Sequence, residues 1–359
     1  MLNITPRFQK IVYVLDLVSP NLCNSKFIST FELGSKWLST ENLYNDFDMS
    51  DKNTSKLVDY LVVLNQQDRR FTSETDTRWG GLIEPAPGEN PGKTSEGMRI
   101  VLFGSWEFGY LALETLKKYE SLFPEEINLV GFVTDDPLNP DAKISLKKRI
   151  WGLLDMPQRV IDETTIIDSA LSHGIPVYTG EIKVDSFRKL LQQWNPDVIL
   201  VCLFGQVIDR FIIDLPPCGI YNFHPSELAR NYGAGPAPYD DLAARGAETT
   251  VWTVHHVSEQ IDSGHIVGQS PPICVLNGEG NLPGDPFLVY NKIAEALSPM
   301  VFIMARELQR KHRVKETGTL NSFDFSAVYP ENAREKLLQR NKWKSPVNFF
   351  LEPDLSLFF

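Results

Sequence analysis

The sequence predicts an α/β fold with a Rossmann-like, open and mostly parallel sheet that carries helices on both faces. Two observations lead to this fold class. From Met98 onward, short apolar runs alternate with amphipathic runs of helical spacing, which is the pattern of βαβ connectivity. The strongest apolar runs contain almost no polar residue, as expected of strands that are buried on both faces. The catalytic or binding centre of such a sheet lies at the carboxyl ends of its strands.

The elements follow from these patterns in chain order. The first strand ends at Gly104, and Ser105 can cap the helix that follows, because a serine oxygen accepts a hydrogen bond from the first helical turn. Gly174 ends a later helix. Strands are predicted at residues 98–103, 127–133, 197–204, 219–223, 249–257 and 265–275. Helices are predicted at residues 106–119, 164–172, 184–194 and 287–309.

The change in pattern at Met98 divides the chain. Residues 1–97 form an N-terminal extension whose Gly/Pro-rich end, residues 80–97, is typical of a linker. The extension is either a poorly ordered accessory segment or a module that recruits a partner or substrate. Residues 98–310 form the predicted catalytic domain, and residues 311–359 a short C-terminal appendage.

Composition and charge limit the function. Of the 359 residues 42% are hydrophobic and 23% are charged, which is ordinary for a soluble chain with a real core. The formal net charge of −11 disfavours nucleic acid as a partner, since phosphate contacts need a basic surface, although it does not exclude tRNA. Four scattered cysteines without a CxxC pair, no signal-peptide pattern and no membrane-length apolar run predict a cytoplasmic protein that does not contact a membrane.

The turn after the first strand reads Gly104-Ser-Trp-Glu-Phe-Gly109. Its glycine spacing does not match the GxGxxG dinucleotide fingerprint, so a nucleotide-binding dehydrogenase is disfavoured. The turn is either a plain strand-to-helix connection or one wall of a substrate pocket. In the second case Ser105 and Trp106 contact the substrate.

Three polar residues carry the chemistry. Asn222 and His224 are two positions apart at a strand end, so their side chains share one face. Asp262 lies in a predicted turn between two later strands. An amide, an imidazole and a carboxylate that converge beyond strand ends are typical of acyl transfer, which must stabilise an oxyanion and remove a proton from the attacking amine. No cluster with metal-ligand spacing is present, so no metal site is predicted.

The motif Asn222-x-His224-Pro-Ser226, followed by Val254-His-His-Val-Ser-Glu-Gln-Ile-Asp262-Ser-Gly264, resembles the folate-dependent formyltransferases. This resemblance covers roughly residues 98–275. It implies that 10-formyltetrahydrofolate is the cofactor and that Asn222 and His224 bind the formyl oxygen as it becomes an oxyanion. It also implies that Asp262 orients His224 and helps to take the proton of the amine.

The resemblance implies further contacts. The cofactor-binding residues are Leu203, Phe204, Gly205, Gln206, Val207 and Ile208, together with Ser226 and Gly264. Arg230 and Tyr232, on the loop after the triad, are further substrate contacts. Glu227 and Ala229 depart from the family's usual Leu-Leu-Pro pattern, so the resemblance leaves the geometry of the loop on the folate side open.

The sequence leaves the chemical class of the acceptor amine open. The short C-terminal appendage and the acidic charge favour a small molecule, either a hydroxyornithine-like siderophore precursor or a nucleotide-linked amino sugar. A methionyl-tRNA formyltransferase-like enzyme is the first alternative. A noncatalytic folate- or nucleotide-binding module is the second, and the presence of all three triad residues argues against it.

Overall fold

The computed structural model describes residues 80–86, 96–134, 166–234, 238–316, 318–340 and 353. Residues 1–79 and 87–95 of the predicted extension lie outside the described residues, as does the part of the C-terminal appendage after residue 340, apart from Pro353. The strands are β1 (Gly80–Ile83), β2 (Met98–Gly104), β3 (Ile127–Thr134), β4 (Val177–Gly180), β5 (Val198–Cys202), β6 (Ile220–His224), β7 (Thr249–Thr250), β8 (Thr253–His256), β9 (Ile266–Gln269) and β10 (Ile273–Cys274).

The helices alternate with these strands. They are α1 (Trp106–Leu122), α2 (Asp185–Trp194), α3 (Arg210–Ile213), α4 (Pro238–Arg245), α5 (Pro286–Ala294), α6 (Leu297–Arg313), α7 (Phe325–Val328) and α8 (Glu331–Leu338). Residues 166–172 are also helical, and Leu228–Arg230 form a 3₁₀ turn.

Eight strands form one mixed sheet in the order β1-β4-β3-β2-β5-β6-β8-β9. The five strands from β4 to β6 in this order are parallel, whereas β1, β8 and β9 pair antiparallel with their neighbours. Strands β7 and β10 form a separate antiparallel pair. The predicted Rossmann-like, mostly parallel sheet is confirmed.

Alternate side chains of the central strand enter two different cores. Ile100 and Leu102 pack into a cluster that includes Leu116 of α1 and Met300 of α6. Val101 and Phe103 pack into a second cluster on the other face, which includes Phe187 of α2. Because successive strand side chains point to opposite faces, these two clusters show that helices cover both sides of the sheet.

Some elements differ from their prediction. Residues 80–83, predicted as part of a linker, form the edge strand β1. The helix predicted at residues 287–309 is two helices, because Pro299 has no N–H group for the carbonyl of Glu295 and is tolerated only in the first turn of a new helix. The long strands predicted at residues 249–257 and 265–275 are each broken into two short ones.

Helices α5 and α6 also bear on the prediction of no membrane contact. The stretch Leu288–Arg313 is long and apolar enough to cross a membrane by length and composition alone. Its most apolar window is 83% buried inside the molecule, as in the core helix of a folded domain.

Candidate active site

The parallel strands bring their carboxyl ends to one edge of the sheet. Strand β2 ends at Gly104, β5 at Cys202 and β6 at His224, and these three strands are neighbours. The connections reverse direction between β2 and β5, since β3 and β4 lie on one side of β2 and β5 and β6 on the other. Open α/β sheets bind their ligands in the crevice beside such a reversal.

Asn222 and His224 lie at the end of β6, as predicted. The His224 ring is 7% exposed, and its Nε2 donates a hydrogen bond to the carbonyl oxygen of Gly233 at 2.8 Å. A carbonyl can only accept, so Nε2 carries a proton and Nδ1 is the ring atom left for the site. His224 Nδ1 lies 3.7 Å from Asp262 Oδ1. The structure therefore brings His224 and Asp262 together.

Asp262 is held in place by an unusual local backbone. Its φ of 52° lies in the left-handed region, which aspartate tolerates better than most residues. Two positions later, a Cβ on Gly264 would overlap the carbonyl oxygen of His256. Glycine is therefore required there, because only it lets the loop approach strand β8 so closely. This approach places the Asp262 carboxylate beside the histidines.

His255 is a fourth member of the site that sequence reasoning missed. It stands opposite Asn222 in the antiparallel pairing of β6 and β8, and Asn222 Nδ2 lies 3.0 Å from His255 Nε2. His255 Nε2 is also 3.7 Å from Asp262 Oδ1. The alternation of strand side chains separates His255 from His256, but only the register of β6 with β8 shows which of them faces Asn222.

Burial lowers the pKa of the His255 imidazole below its usual value. The carbonyl of His256 and the carboxylate of Asp262 oppose this shift, and the His224 ring adds to it. His255 Nδ1 donates to the His256 carbonyl oxygen at 2.8 Å, so the neutral ring has its free lone pair on Nε2. Neutral His255 accordingly accepts a hydrogen bond from Asn222.

The segment Leu203–Ile208, predicted to bind the cofactor, follows β5 and lies next to the end of β6. Leu203 has a φ of 54°, a left-handed conformation that is rare for a branched side chain. The Phe204 ring packs edge-on against Phe103 at 5.1 Å between centroids. A strained turn with a partly buried apolar side chain on it is typical of a ligand-binding edge.

Gln206 fixes this segment to the loop after β4. Its Nε2 donates to the carbonyl oxygen of Gly180 at 2.7 Å, and its Oε1 accepts from the backbone N–H of Ile182 at 3.1 Å. One amide side chain thus joins the connections that leave two strands, β4 and β5. The structure places Gln206 as a brace behind the predicted cofactor segment.

Ser226 and Gly264 flank the triad. Ser226 is 3% exposed, and its carbonyl oxygen accepts from Thr253 Oγ1 at 2.6 Å. Its enclosed Oγ has no hydrogen-bond partner among the residues that the structure describes. Contact of Ser226 and Gly264 with a cofactor stays a prediction.

The four predicted substrate contacts occupy two different environments. Ser105 and Trp106 are buried, and the Ser105 hydroxyl lies 3.0 Å from Thr134 Oγ1. Arg230 is mostly exposed and pairs with Glu227 at 3.3 Å. Tyr232 packs under the guanidinium of Arg245 at 3.8 Å. Ser105 and Trp106 line the turn after β2, whereas Arg230 and Tyr232 lie on the outer loop, and their contact with a substrate stays a prediction.

The site combines an amide, an imidazole and a carboxylate in a mostly buried setting. Asn222 can donate from its amide, His224 presents Nδ1, and Asp262 can accept a proton. In the described part of the chain, no group of three or more His, Cys, Asp or Glu side chains has an arrangement that could hold a metal ion. The described side chains thus suit general acid–base and oxyanion chemistry.

Comparison with known proteins gives consistent results. Residues 154–278 match the formyl transferase family model. A methionyl-tRNA formyltransferase from Thermotoga sp. (strain RQ2) is 29% identical over 243 residues, which are 67% of this chain and 67% of that protein. A methionyl-tRNA formyltransferase from Ehrlichia ruminantium is 32% identical over 173 residues, covering 48% of this chain and 50% of its own length.

A solved phosphoribosylglycinamide formyltransferase from Anaplasma phagocytophilum aligns with 60% of this chain and 89% of its own, at a TM-score of 0.45 and 16% identity. The chain thus spans about two thirds of one of the two curated relatives and half of the other.

Proposed function

We propose that this chain, which belongs to the folate-dependent formyltransferase family, transfers a formyl group from 10-formyltetrahydrofolate to an amine. The observation that carries the proposal is the convergence of Asn222, His224 and Asp262 at the carboxyl edge of the sheet. His224 Nδ1 lies 3.7 Å from the Asp262 carboxylate, with the Asn222 amide two residues away on the same strand face.

The residues beside the triad fit a flat, polar-edged cofactor. The turn at Leu203 puts backbone peptide groups next to the end of β6, and Phe204 supplies an apolar surface against Phe103. Gln206 holds this turn to Gly180 and Ile182. Apolar walls with a few fixed polar groups are typical of small-molecule sites.

When bound, 10-formyltetrahydrofolate would supply the formyl group, and the folate nitrogen that loses it must gain a proton. The chain's residues act on the charges that develop. Asn222 Nδ2 donates to the formyl oxygen as it becomes negative, and His224 Nδ1 donates to the same oxygen once it has received the proton that the attacking amine loses. Asp262, 3.7 Å from Nδ1, helps to take this proton from the amine and stabilises the His224 imidazolium, which then returns the proton to the departing folate nitrogen.

Two acceptor classes remain candidates, each with its own observation. The relatives reported above are methionyl-tRNA formyltransferases, which favours the amine of an aminoacyl-tRNA. The net charge of −11 favours a small-molecule amine, either a hydroxyornithine-like compound or a nucleotide-linked amino sugar, because tRNA binding needs a basic surface. Both classes are compatible with action in the cytoplasm.

One assay tests the reaction and the acceptor together. The purified chain is incubated with 10-formyltetrahydrofolate and, in separate reactions, hydroxyornithine, amino-sugar nucleotides or methionyl initiator tRNA. Release of tetrahydrofolate and formylation of the acceptor are followed. Absence of release with every acceptor would contradict the proposal and favour a noncatalytic binding module.

We expect His224→Ala to lower kcat by about 10²- to 10³-fold, the usual effect of losing one oxyanion-stabilising donor. His312→Ala is the matched control. His312 lies at the opposite, amino edge of the sheet, 3.6 Å from Asp197, and its loss should leave kcat unchanged. Equal rates for His224→Ala and the unchanged protein would remove the triad from the mechanism.

A further inference from the structure

We propose that neutral His255 fixes the orientation of the Asn222 amide, so that Asn222 presents an N–H group rather than its oxygen to the developing oxyanion. The inference rests on the proposed function, because it assigns a positioning residue to that reaction. It rests on the distances among four atoms, which are Asn222 Nδ2, His255 Nε2, Asp262 Oδ1 and His224 Nδ1. It also rests on the hydrogen bond from His255 Nδ1, which fixes the ring of His255.

The proton on His255 is assigned by its backbone partner. Nδ1 lies 2.8 Å from the carbonyl oxygen of His256, which can only accept, so Nδ1 is protonated. In the neutral ring, Nε2 is then a pure acceptor. The atom of Asn222 that lies 3.0 Å from Nε2 must therefore be the amide nitrogen, because an amide oxygen there would face a lone pair.

The amide nitrogen is thereby placed on the catalytic side. His255 Nε2 lies 3.7 Å from Asp262 Oδ1, and that same oxygen lies 3.7 Å from His224 Nδ1. Asn222 Nδ2 joins these atoms through its 3.0 Å contact with His255 Nε2, which uses one of its two hydrogens. The second hydrogen remains for the formyl oxygen.

Protonation of His255 reverses the preference. Nε2 then becomes a donor, and it attracts either the Asn222 amide oxygen, by a flip of the amide, or the Asp262 carboxylate that His224 needs. Both changes weaken oxyanion binding. The titratable groups that face the His255 ring are Asp262 on the loop before β9, His224 on β6 and His256 on its own strand.

Burial lowers the pKa of His255 below the ordinary histidine value of 6.5, so the neutral ring predominates at neutral pH. Activity that depends on neutral His255 is therefore present above this pKa and falls as the pH drops through it. Burial also lowers the pKa of His256, which binds the carbonyl of Leu320 and does not face Asn222.

Three variants distinguish the positioning role of His255 from a role in packing alone. His255→Gln keeps a neutral acceptor that does not titrate, so we expect a kcat well above that of His255→Phe and loss of the acid limb of the pH profile. His255→Phe keeps a large ring without an acceptor, so kcat should fall at least about tenfold, with the KM for 10-formyltetrahydrofolate little changed. His256→Gln is the matched control and should keep the acid limb.

An acid limb that persists in His255→Gln would overturn the proposal, as would full activity of His255→Phe. Nitrogen NMR of the imidazoles provides a test that needs no turnover. At neutral pH we expect His255 Nε2 to be unprotonated, and its pKa to rise in Asn222→Leu, because the lost hydrogen bond favours the neutral ring. A protonated Nε2, or an unchanged pKa in Asn222→Leu, would contradict the proposal even if no acceptor is ever formylated.

Discussion

At the scale of single residues, Gly264 has the least freedom in the site. A Cβ there would overlap the carbonyl oxygen of His256. We expect Gly264→Ala to destabilise the fold by about 1–3 kcal/mol or more and to lower kcat, because the loop that carries Asp262 must move away from β8. Thermal unfolding and kcat measure the two effects.

Gly284 provides the comparison for this change. A Cβ on Gly284 meets nothing within 4 Å, so Gly284→Ala should change the free energy of unfolding by no more than about 0.5 kcal/mol. If both alanine variants behaved alike, the close approach at Gly264 would not control the site.

The sequence predicted Asn222, His224 and Asp262 as catalytic residues because their spacing is visible in the linear chain. His255 was not identified, because its contact with Asn222 spans 33 positions and depends on strand register. The backbone strain at Leu203 and Asp262 was equally invisible. Left-handed φ values at non-glycine residues arise from tertiary packing, which no local pattern encodes.

At the scale of elements, the brace formed by Gln206 joins the connections after β4 and β5. Gln206→Ala removes two hydrogen bonds, each worth about 0.5–1.5 kcal/mol, and frees the segment Leu203–Ile208. We expect the KM for 10-formyltetrahydrofolate to rise about tenfold or more, with a smaller effect on kcat.

Gln193 is a matched control for this variant, since it is exposed on α2. Gln193→Ala should leave both kinetic constants unchanged. A KM that stays constant in Gln206→Ala would show that the segment holds its shape without the brace, or that it does not contact the cofactor.

The sequence predicts whether a segment is a helix or a strand where its hydrophobic period and its length point to the same type. Strand β2 and helix α1 follow their predicted starts because apolar runs and a strand-ending glycine mark them. The break between α5 and α6 was missed, although Pro299 signals it, because the apolar stripe continues on both sides of the proline. Strand β1 was missed because it is four residues long and lies in a Gly/Pro-rich stretch.

At the scale of the whole molecule, residues 318–340 pack into the same hydrophobic core as the sheet. Phe325 is fully buried in the main cluster, and the Tyr329 hydroxyl donates to the carbonyl oxygen of Ala296 at 2.7 Å. The Tyr221 hydroxyl of β6 also accepts from the backbone N–H of Leu320 at 2.7 Å. The segment therefore supports the strand that carries Asn222 and His224.

We expect Phe325→Ala to lower the free energy of unfolding by about 3–5 kcal/mol, as for other buried phenylalanines. Val328→Ala, three residues later in the same short helix, is 42% exposed and should cost much less. Chemical denaturation compares the two. Similar small losses in both would mean that residues 318–340 are only loosely attached to the domain.

The pairing of Asn222 with His255 across β6 and β8 has a consequence for errors in strand pairing during folding. Strand side chains alternate between faces, so a slip of one residue would turn His255 away and bring its neighbour to that position. Under the proposed role of His255, a chain with its sheet nearly intact would then lose the hydrogen-bond partner of the Asn222 amide and most of its activity. Activity would therefore report a one-residue error in strand alignment that changes the overall shape very little.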